Sequence, residues 1–584
     1  MKFAEYKGLD LPKVAEEVLH YWKENNVFEK SVTSREGKDS FVFYEGPPSA
    51  NGLPGIHHVM ARTIKDIFPR YKTMKGFQVK RKAGWDTHGL PIELGVEKEL
   101  GITKEDIGTK ISVEEYNAAC KKAVMRYTDV WNAMTEKVGY WVDMEDPYIT
   151  YKSKYMESVW WLLKQIYDKG LIYKGYTIQP YSPKAGTGLS SHELNQPGTY
   201  QDVTDTTVVA QFKTDTATLP QNLKDLGGDV FFLAWTTTPW TLPSNTALTV
   251  GPKIDYVVVK TFNQYTFEPM YVVLAKSLVG KQFSGKFFEA ESDTDFENFS
   301  SKDKKIPYQI VAGAKGQDLV GIRYEQLLDY AQPYQNPENA FRVISGDFVT
   351  TEDGTGIVHT APTFGADDAL VAKLAEPEVP PMLVLDENNN PVPLVDLQGR
   401  FRPEMGEYAG KYVKNEYYGD GEAPERSVDV EIAIKLKEEN RAFKVEKYVH
   451  SYPNCWRTDK PILYYPLDSW FIKVTDIKDR MFDLNQTINW KPKATGEGRF
   501  GNWLANANDW NLSRSRYWGI PLPIWRTEDG KEELMIGSVA ELKEEMQKAL
   551  KAGVLEKDIF EDFVVGDMGE DNYDKIDLHK NIVD

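Results

Sequence analysis

Two adjacent histidines, His57 and His58, are the first residues of this 584-residue chain whose types and spacing could do chemistry. They follow a glycine- and proline-rich segment, GPPSANGLPG over residues 46–55. A metal pair is disfavoured, because adjacent residues on a helix point about 100° apart and no nearby Cys, Asp or Glu completes a tetrahedral set. Two interpretations stay open: histidines that bind an anion at a helix N-terminus, and a tight turn in which they only cap the helix.

The flanking elements predict how the histidines are held. Residues 40–44, SFVFY, are a short β-rich run, and helical periodicity resumes from Val59 to Tyr71. The order is therefore strand, glycine-rich loop, helix. In an open α/β sheet such a loop lies at the carboxyl end of a strand, where nucleotides usually bind.

Composition limits the class of protein. A net charge of −18 argues against a chain that coats nucleic acid indiscriminately, although a basic cluster from Arg62 to Lys82 suits either a solvated helix face or a phosphate-facing surface. No apolar run is long enough to span a bilayer, so we expect a cytoplasmic protein without a membrane partner. Cys120 and Cys455 cannot form a disulfide framework.

The order of helical and β-rich segments along the sequence predicts several domains. Residues 111–170 read as two long aromatic-rich helices, β-branched runs separated by turns dominate from about residue 201, and a helical pattern returns at 428–440. We predict an α/β domain interrupted by a β-rich, barrel-like insertion. The expected boundaries are 1–195 for the N-terminal helix and first half, 196–425 for the insertion, and 426–584 for the return connection and the start of the second half.

Two segments carry a family resemblance. GPPSANGLP (46–54) and GWDTHGLPIE (84–93) resemble the catalytic signatures of class I aminoacyl-tRNA synthetases of the isoleucine, valine and leucine subgroup. GWDTHGLPIE resembles the isoleucine-specific branch in particular, and NDWNLSRSRYWGIP (508–521) also fits the family in order and spacing. The resemblance implies a Rossmann-type catalytic domain, interrupted by an editing insertion.

The resemblance also implies substrates and site residues. The substrates would be isoleucine, ATP with Mg²⁺, and tRNA(Ile). Asp86 would pair with the isoleucine ammonium group, unless it only forms an Asx turn. Pro47 would form part of the wall of the pocket for the aliphatic side chain. The family signature His-x-Gly-His reads Gly-Ile-His-His here, with its first and third positions exchanged. ATP binding would fall to Gly46, Gly55, His57 and His58, and the two histidines would be catalytic.

A second hydrolytic site follows from the same resemblance. Isoleucine and valine differ by one methylene, worth about 1–3 kcal/mol in an apolar pocket, a limit established on enzymes of this isoleucine branch. Hydrolysis of Val-tRNA(Ile) at a separate site removes the error. WTTTPWTLPSNT (235–246) and GTGIVHTAPTFGADD (354–368) resemble the two halves of that editing site. Its implied residues are Thr236, Thr237, Thr238, Asn245, His359 and Asp368.

Other family features differ or lie beyond these residues. A structural zinc site of some relatives would need four cysteines where this chain has Ser182, Ala185, Cys455 and Thr458, so we predict no zinc. The family's lysine-rich second signature would come after residue 584, and we expect a monomer that is part of a longer enzyme. Alternatives stay open: a chain that does not activate amino acid but hydrolyses or binds aminoacyl-tRNA, and specificity for valine or leucine.

Overall fold

The computed structural model describes residue 8 and residues 10–579, except the side chains of residues 191 and 192. Two units can be distinguished. One consists of residues up to Tyr173 together with residues from Trp470 onward, and the other is Lys174–Ser469.

A parallel three-stranded sheet supports the histidine loop in the first unit. Its strand order is β1-β2-β3, with Phe41 opposite Val79 in the first pair. The predicted strand at 40–44 and the helix after the loop are confirmed. The elements up to Tyr173 are α1 (Leu11–Glu24), α2 (Val27–Thr33), β1 (Ser40–Tyr44), α3 (Ile56–Met74), β2 (Gln78–Trp85), α4 (Leu90–Leu100), α5 (Val113–Val124), α6 (Thr128–Lys137), β3 (Asp143–Ile149) and α7 (Ser153–Tyr167).

The first of the two long helices predicted within 111–170 is wrong as a single helix. It is divided into α5 and α6, with a break at residues 125–127. At this break the Tyr127 N–H donates to the Ala50 carbonyl in the glycine-rich loop, at 3.1 Å, instead of continuing the α5 ladder. A contact distant in sequence therefore overrides the local periodicity.

The second unit is built on a large mixed sheet. Its elements are β4 (Ile172–Ser182), β5 (Thr187–Gly188), α8 (Ser191–Leu194), β6 (Tyr200–Lys213), α9 (Gln221–Lys224), β7 (Val230–Thr236), β8 (Ala247–Val250), β9 (Asp255–Phe262), β10 (Pro269–Ala275), α10 (Val279–Gln282), β11 (Phe287–Glu289), α11 (Thr294–Glu297), β12 (Ile306–Lys315), α12 (Gly316–Leu319), β13 (Arg342–Ser345), β14 (Ile357–Thr360), α13 (Ala366–Leu374), β15 (Leu383–Leu385), β16 (Pro391–Pro393), α14 (Val428–Glu438), β17 (Ala442–Pro453) and β18 (Leu463–Ile472). The main path is β11-β12-β9-β10-β7-β14-β8-β13, and β6 pairs with both β7 and β17.

Both faces of this sheet are buried. Along β7, Phe232 and Ala234 contribute to one hydrophobic cluster, while Phe231 and Leu233 contribute to another. Strands buried on both faces read as continuous apolar runs, which is why VFFLAW lacks polar alternation. The unit is wider than the predicted insertion of 196–425, because β17 pairs with β6 along most of its length.

The chain after Trp470 returns to the first unit as α15 (Lys478–Asn485), α16 (Gly501–Ala505), β19 (Trp510–Asn511), β20 (Ile524–Arg526), β21 (Glu533–Met535), α17 (Val539–Lys551) and α18 (Glu570–Tyr573). Met156 and Trp160 of α7 share a core with Val539 and Tyr573. Within residues 10–579, none of the helices combines the length and apolar character needed to cross a membrane.

Candidate active sites

The glycine-rich loop fixes the tautomer of His58. The Gly55 N–H donates to His58 Nδ1 at 2.9 Å, so the proton of the neutral ring is on Nε2. Burial, followed by the charges of His57, Arg62 and Lys65, lowers the pKa of His58. His58 therefore presents a neutral Nε2–H donor in the first turn of α3, a turn without acidic residues. Free N–H groups and the helix dipole favour an anion at such a position.

The residues at positions 55 and 57 of this signature depend on each other for space. A Cβ atom on Gly55 would lie 2.8 Å from Cε1 of His57, closer than real Cβ contacts allow. A side chain at position 55 therefore requires the His57 ring to leave its present place, 3.8 Å from the His58 ring centroid. Glycine at 55 makes room for the histidine at 57, which remains exposed.

The loop and the second signature are joined at their backbones. Gly46 is exposed and Pro47 is half-buried, and the next residue, Pro48, accepts a 3.0 Å hydrogen bond from the Asp86 N–H through its carbonyl. The structure thus brings Asp86 beside the loop that holds Pro47. The base of the loop is fixed by Glu45, whose carbonyl accepts the Tyr148 hydroxyl at 2.5 Å.

Asp86 is a solvent-accessible carboxylate at the carboxyl end of β2. Desolvation by its surroundings raises its pKa, and a hydrogen bond from the His88 backbone N–H opposes that rise. Within residues 10–579 no lysine or arginine forms an ion pair with Asp86. The carboxylate is therefore able to accept an external cation.

Glu93 holds this signature in place, although it had no role in the sequence analysis. Its Oε1 accepts the backbone N–H groups of Tyr517 at 3.1 Å and Trp518 at 3.0 Å. Its Oε2 accepts Arg516 Nε at 2.9 Å. The Trp518 indole N–H donates to the Thr87 carbonyl at 2.6 Å, so this tryptophan supports the motif from within the core.

The basic cluster between Arg62 and Lys82 is largely structural. The guanidinium of Arg70 pairs with Asp66 and lies 4.0 Å from a tryptophan ring centroid. Arg81 donates to the Thr73 hydroxyl at 2.7 Å, and burial lowers its pKa to about 10. Arg62 is also buried. The phosphate-facing interpretation is therefore wrong for these three arginines, because packing and partners inside the unit occupy them.

The predicted threonines form one small network in the second unit. Thr236 Oγ1 accepts the Thr238 N–H at 3.1 Å and lies 3.3 Å from Thr238 Oγ1. Thr237 is half-buried between them. The hydroxyl of Thr241 donates to the Thr238 carbonyl at 2.8 Å. Thr241 lies in the turn Pro239–Ser244, and the sequence analysis did not assign it a role.

Hydrogen bonds fix the ring of His359 so that it donates to this network of threonines. Asn245 Nδ2 donates to the Ala247 carbonyl at 2.8 Å and lies 2.9 Å from His359 Nδ1. Because the amide nitrogen must donate, Nδ1 accepts and the ring proton is on Nε2, which lies 3.0 Å from Thr241 Oγ1. Burial lowers the pKa of His359 to about 3. Tyr324, which no sequence signal indicated, donates to Asn245 Oδ1 at 2.6 Å.

Asp368 lies in the first turn of α13 and reaches back to the strand that carries His359. Its Oδ2 accepts the Ala361 N–H at 2.9 Å. Desolvation raises its pKa to about 6. In the part of the chain that the structure describes, Asp368 has no ion-pair partner.

The positions compared with zinc ligands make ordinary turns. The Ala185 N–H donates to Ser182 Oγ at 3.2 Å, and the Thr458 N–H donates to the Cys455 carbonyl at 3.2 Å. Between residues 10 and 579, no three His, Cys, Asp or Glu residues are grouped so that they could hold a metal ion.

Comparison with known proteins connects this geometry to a family. The family model described as tRNA synthetases class I (I, L, M and V) matches residues 17–584. The chain therefore belongs to the class I tRNA synthetase family and has its α/β fold.

Within that family the similar proteins bear one name. A protein of Bacteroides fragilis named isoleucine--tRNA ligase is 60% identical over 602 residues, which cover 100% of this chain and 52% of that protein. A protein of the same name from Cytophaga hutchinsonii is 63% identical over 564 residues, covering 95% and 49%. The chain spans about half the length of the curated relatives it matches. A crystal structure of an Agrobacterium radiobacter K84 LeuRS-tRNA-LeuAMS complex is 15% identical, with a TM-score of 0.31 and coverage of 91% and 52%.

Proposed function

We propose that this chain belongs to an enzyme that joins isoleucine to tRNA(Ile) with ATP and hydrolyses Val-tRNA(Ile). The observation that carries the proposal is Asp86, an accessible carboxylate without a cation partner among residues 10–579, tied to the loop that holds Pro47. A carboxylate beside a nucleotide-binding loop is suited to the ammonium group of an amino acid. The names of the similar proteins supply isoleucine as that amino acid.

The activation step is a displacement at phosphorus. An isoleucine carboxylate oxygen attacks the α-phosphorus of ATP in line, and pyrophosphate leaves. The 2′-hydroxyl of the terminal tRNA adenosine then attacks the adenylate carbonyl, the bond from that carbonyl to phosphate breaks, and AMP and the hydroxyl proton are released. No covalent enzyme intermediate is needed. His58 Nε2–H and the N-terminus of α3 stabilise phosphate oxygens, with Gly46 and Gly55 allowing close backbone approach and exposed His57 as a second donor.

In the proposed reaction ATP is used together with Mg²⁺. In phosphoryl-transfer sites the ion usually binds substrate phosphates and one or two carboxylates and neutralises their charge. Among the described residues the acidic groups do not form a site for the metal alone, so ATP would supply the main ligands. We also propose that the chain binds no zinc, acts as a monomer and is cytoplasmic.

Editing is assigned to the threonine network of the second unit. Asp368 takes the ammonium group of the misacylated valine, while Thr236, Thr237 and Thr238 hold the water and the terminal ribose. His359 donates to Thr241 and holds this turn through Asn245, and it does not remove a proton from water, because both ring nitrogens are engaged. The ester bond breaks as the water oxygen bonds the carbonyl carbon, and the ribose oxygen leaves with a proton.

Isoleucine-dependent exchange between ATP and pyrophosphate tests activation. We expect exchange with isoleucine in preference to valine or leucine, and its loss in Asp86→Asn. Asp146→Asn is the matched control, because Asp146 is a largely exposed carboxylate of the same unit that pairs with Lys82. Preference for valine or leucine, or normal exchange in Asp86→Asn, would contradict the proposal.

A second candidate is a chain that hydrolyses aminoacyl-tRNA without activating amino acid. The observation in its favour is that the threonine network is complete within Lys174–Ser469. Hydrolysis of Val-tRNA(Ile) without exchange would assign this chain to the second candidate. Asp368→Asn should abolish that hydrolysis, whereas Asp367→Asn, at the exposed neighbouring position, should leave it intact.

A further inference from the structure

Two histidines and one carboxylate are joined in series by hydrogen bonds, starting from His88 in the segment GWDTHGLPIE (84–93). His88 Nε2 is 2.7 Å from His579 Nε2, and His579 Nδ1 is 2.6 Å from Asp577 Oδ1. The His579 ring stacks on Trp518 with centroids 4.5 Å apart and an angle of 11°. His88 lies nearly five hundred residues before Asp577 and His579 in sequence but in the same unit, and the proposed reaction uses none of the three directly.

The hydrogen bonds determine where the protons are. Asp577 Oδ1 also accepts the His579 backbone N–H at 2.8 Å, so this oxygen is an acceptor and the proton lies on His579 Nδ1. In a neutral His579 ring, Nε2 must then accept, and His88 Nε2 must carry the shared proton. Burial lowers the pKa of His88 to about 3. His88 is consequently neutral, with one tautomer selected by His579.

The ring of His88 is connected to Asp86 through one turn of backbone. The His88 backbone N–H faces the Asp86 carboxylate closely enough to lower its pKa, while the intervening Thr87 is fixed by Thr150 Oγ1 at 2.9 Å from its N–H. Trp518 contacts both histidine rings, at 5.2 Å from His88. Movement of the His88 ring would therefore move the donor that orients Asp86.

We propose that His579 and Asp577 are positioning residues for amino-acid recognition, which hold His88 in one tautomer and thereby orient the carboxylate of Asp86. The inference rests on the proposed function, in which Asp86 binds the substrate ammonium group. Residues that orient metal-ligating side chains change affinity or activity about 10- to 100-fold when removed, and we take the lower end of that range as the expected size of this effect.

The Asp577 end of this series of hydrogen bonds is open to solvent. Asp577 lines a cavity of about 240 Å³ together with Lys121, Lys152 and Asp574. Burial alone would raise the pKa of Asp577, but hydrogen bonds and charge from His579, and the charge of Lys121, lower it overall.

The test combines isoleucine kinetics with nitrogen NMR of the histidine rings in the full chain. His579→Phe preserves the stacking on Trp518 but removes both ring nitrogens. We expect its KM for isoleucine to rise about tenfold with the KM for ATP unchanged. Asp577→Asn should raise the same KM for isoleucine, because an amide oxygen accepts the His579 proton more weakly than a carboxylate does. His20→Phe, at an exposed position of the same unit, is the matched control.

The NMR spectra give a readout that does not depend on activity. The parent chain should show neutral His88 protonated on Nε2 and neutral His579 protonated on Nδ1, and His579→Phe should remove the selection at His88. Other tautomers in the parent, or an unchanged KM in His579→Phe where Asp86→Asn raises it, would overturn the positioning role and leave the proposed function standing. Unchanged isoleucine binding in Asp86→Asn would overturn both.

Discussion

Replacing Lys414 by methionine should destabilise the second unit far more than an ordinary surface substitution. Lys414 Nζ lies 3.0 Å from Asp205 Oδ2 and 3.8 Å from Asp429 Oδ2, and its side chain is only 7% exposed. Asp429 Oδ1 accepts the Trp240 N–H at 2.8 Å, which caps the turn after the predicted editing threonines. The lysine thus neutralises the carboxylate that fixes this turn.

The expected magnitude follows from burial. Asp429 is 4% exposed, and desolvation raises its pKa from 3.8 to about 6 even with Lys414 present. A shift of about two units corresponds to about 3 kcal/mol. Removing one member of a buried pair costs about 3–5 kcal/mol, because the remaining charge loses its partner. We therefore expect Lys414→Met to lower the free energy of unfolding by about 3–5 kcal/mol near neutral pH.

The pH dependence has a definite sign. The pKa of Asp429 is higher in the folded state than in the unfolded state, so the folded state binds the proton more tightly and stability falls as pH rises from about 4 to about 6. Without Lys414 the pKa of Asp429 rises further, and this window extends to higher pH. Folding raises the pKa of Lys414 itself, so its contribution is complete below about pH 10. The penalty of Lys414→Met should therefore be larger near pH 8 than near pH 5.

Hydrogen exchange of peptides from β6 and β17, measured by mass spectrometry at increasing urea concentrations, follows the stability of this unit. Lys411→Met is the matched control. Lys411 Nζ pairs with Glu431 Oε2 at 2.7 Å, with the two side chains 37% and 28% exposed, so its loss should cost about 1 kcal/mol or less. Equal effects of the two substitutions, or a penalty for Lys414→Met that does not grow with pH, would refute the reasoning.

Three further outcomes are expected. Hydrolysis of Val-tRNA(Ile) should decline as pH falls through about 6, the pKa of Asp368, because the protonated group no longer binds an ammonium ion; a hydrolysis rate that stays constant through about pH 6 would contradict this. Asn245→Ala should slow hydrolysis and destabilise the unit by about 1–3 kcal/mol for each partner left unsatisfied, namely His359 and Tyr324, as urea titration would measure. Arg516→Met should lower the free energy of unfolding by about 3–5 kcal/mol, because it leaves two buried glutamates without their cation. A thermal or urea unfolding assay measures this change, and a change near zero would show that the ion-pair network does not contribute to stability.

Local signals predicted the supports of the first site well. The strand at 40–44, the loop and α3 follow from β-branched residues, turn residues and helical spacing within one continuous segment. The family resemblance indicated the threonines, His359 and Asp368 as candidates. Their positions as hydrogen-bonded neighbours, such as His359 beside Thr241, required the pairing of β8 and β14.

Contacts distant in sequence explain what could not be predicted. Tyr127 N–H bonds to Ala50 and divides a helix that periodicity alone would continue. The arginines at 62, 70 and 81 looked available to phosphate because their charges are local, whereas the aromatic rings that they contact, Trp131 and Trp141, are distant in sequence. His579 has no motif, and only the fold brings it to His88.

The two candidate sites share one way of using histidine. At His58 a backbone N–H occupies Nδ1, and at His359 a side-chain amide occupies the same atom. Each ring therefore carries its proton on Nε2, and surrounding groups lower the pKa of both, so neither gains a charge near neutral pH. A ring whose acceptor nitrogen is already bonded cannot serve as a general base. His359 instead supplies a fixed donor to a threonine hydroxyl, and His58 offers a fixed donor that, under the proposed function, faces phosphate oxygens; fixed donors suit reactions that depend on positioning and charge stabilisation.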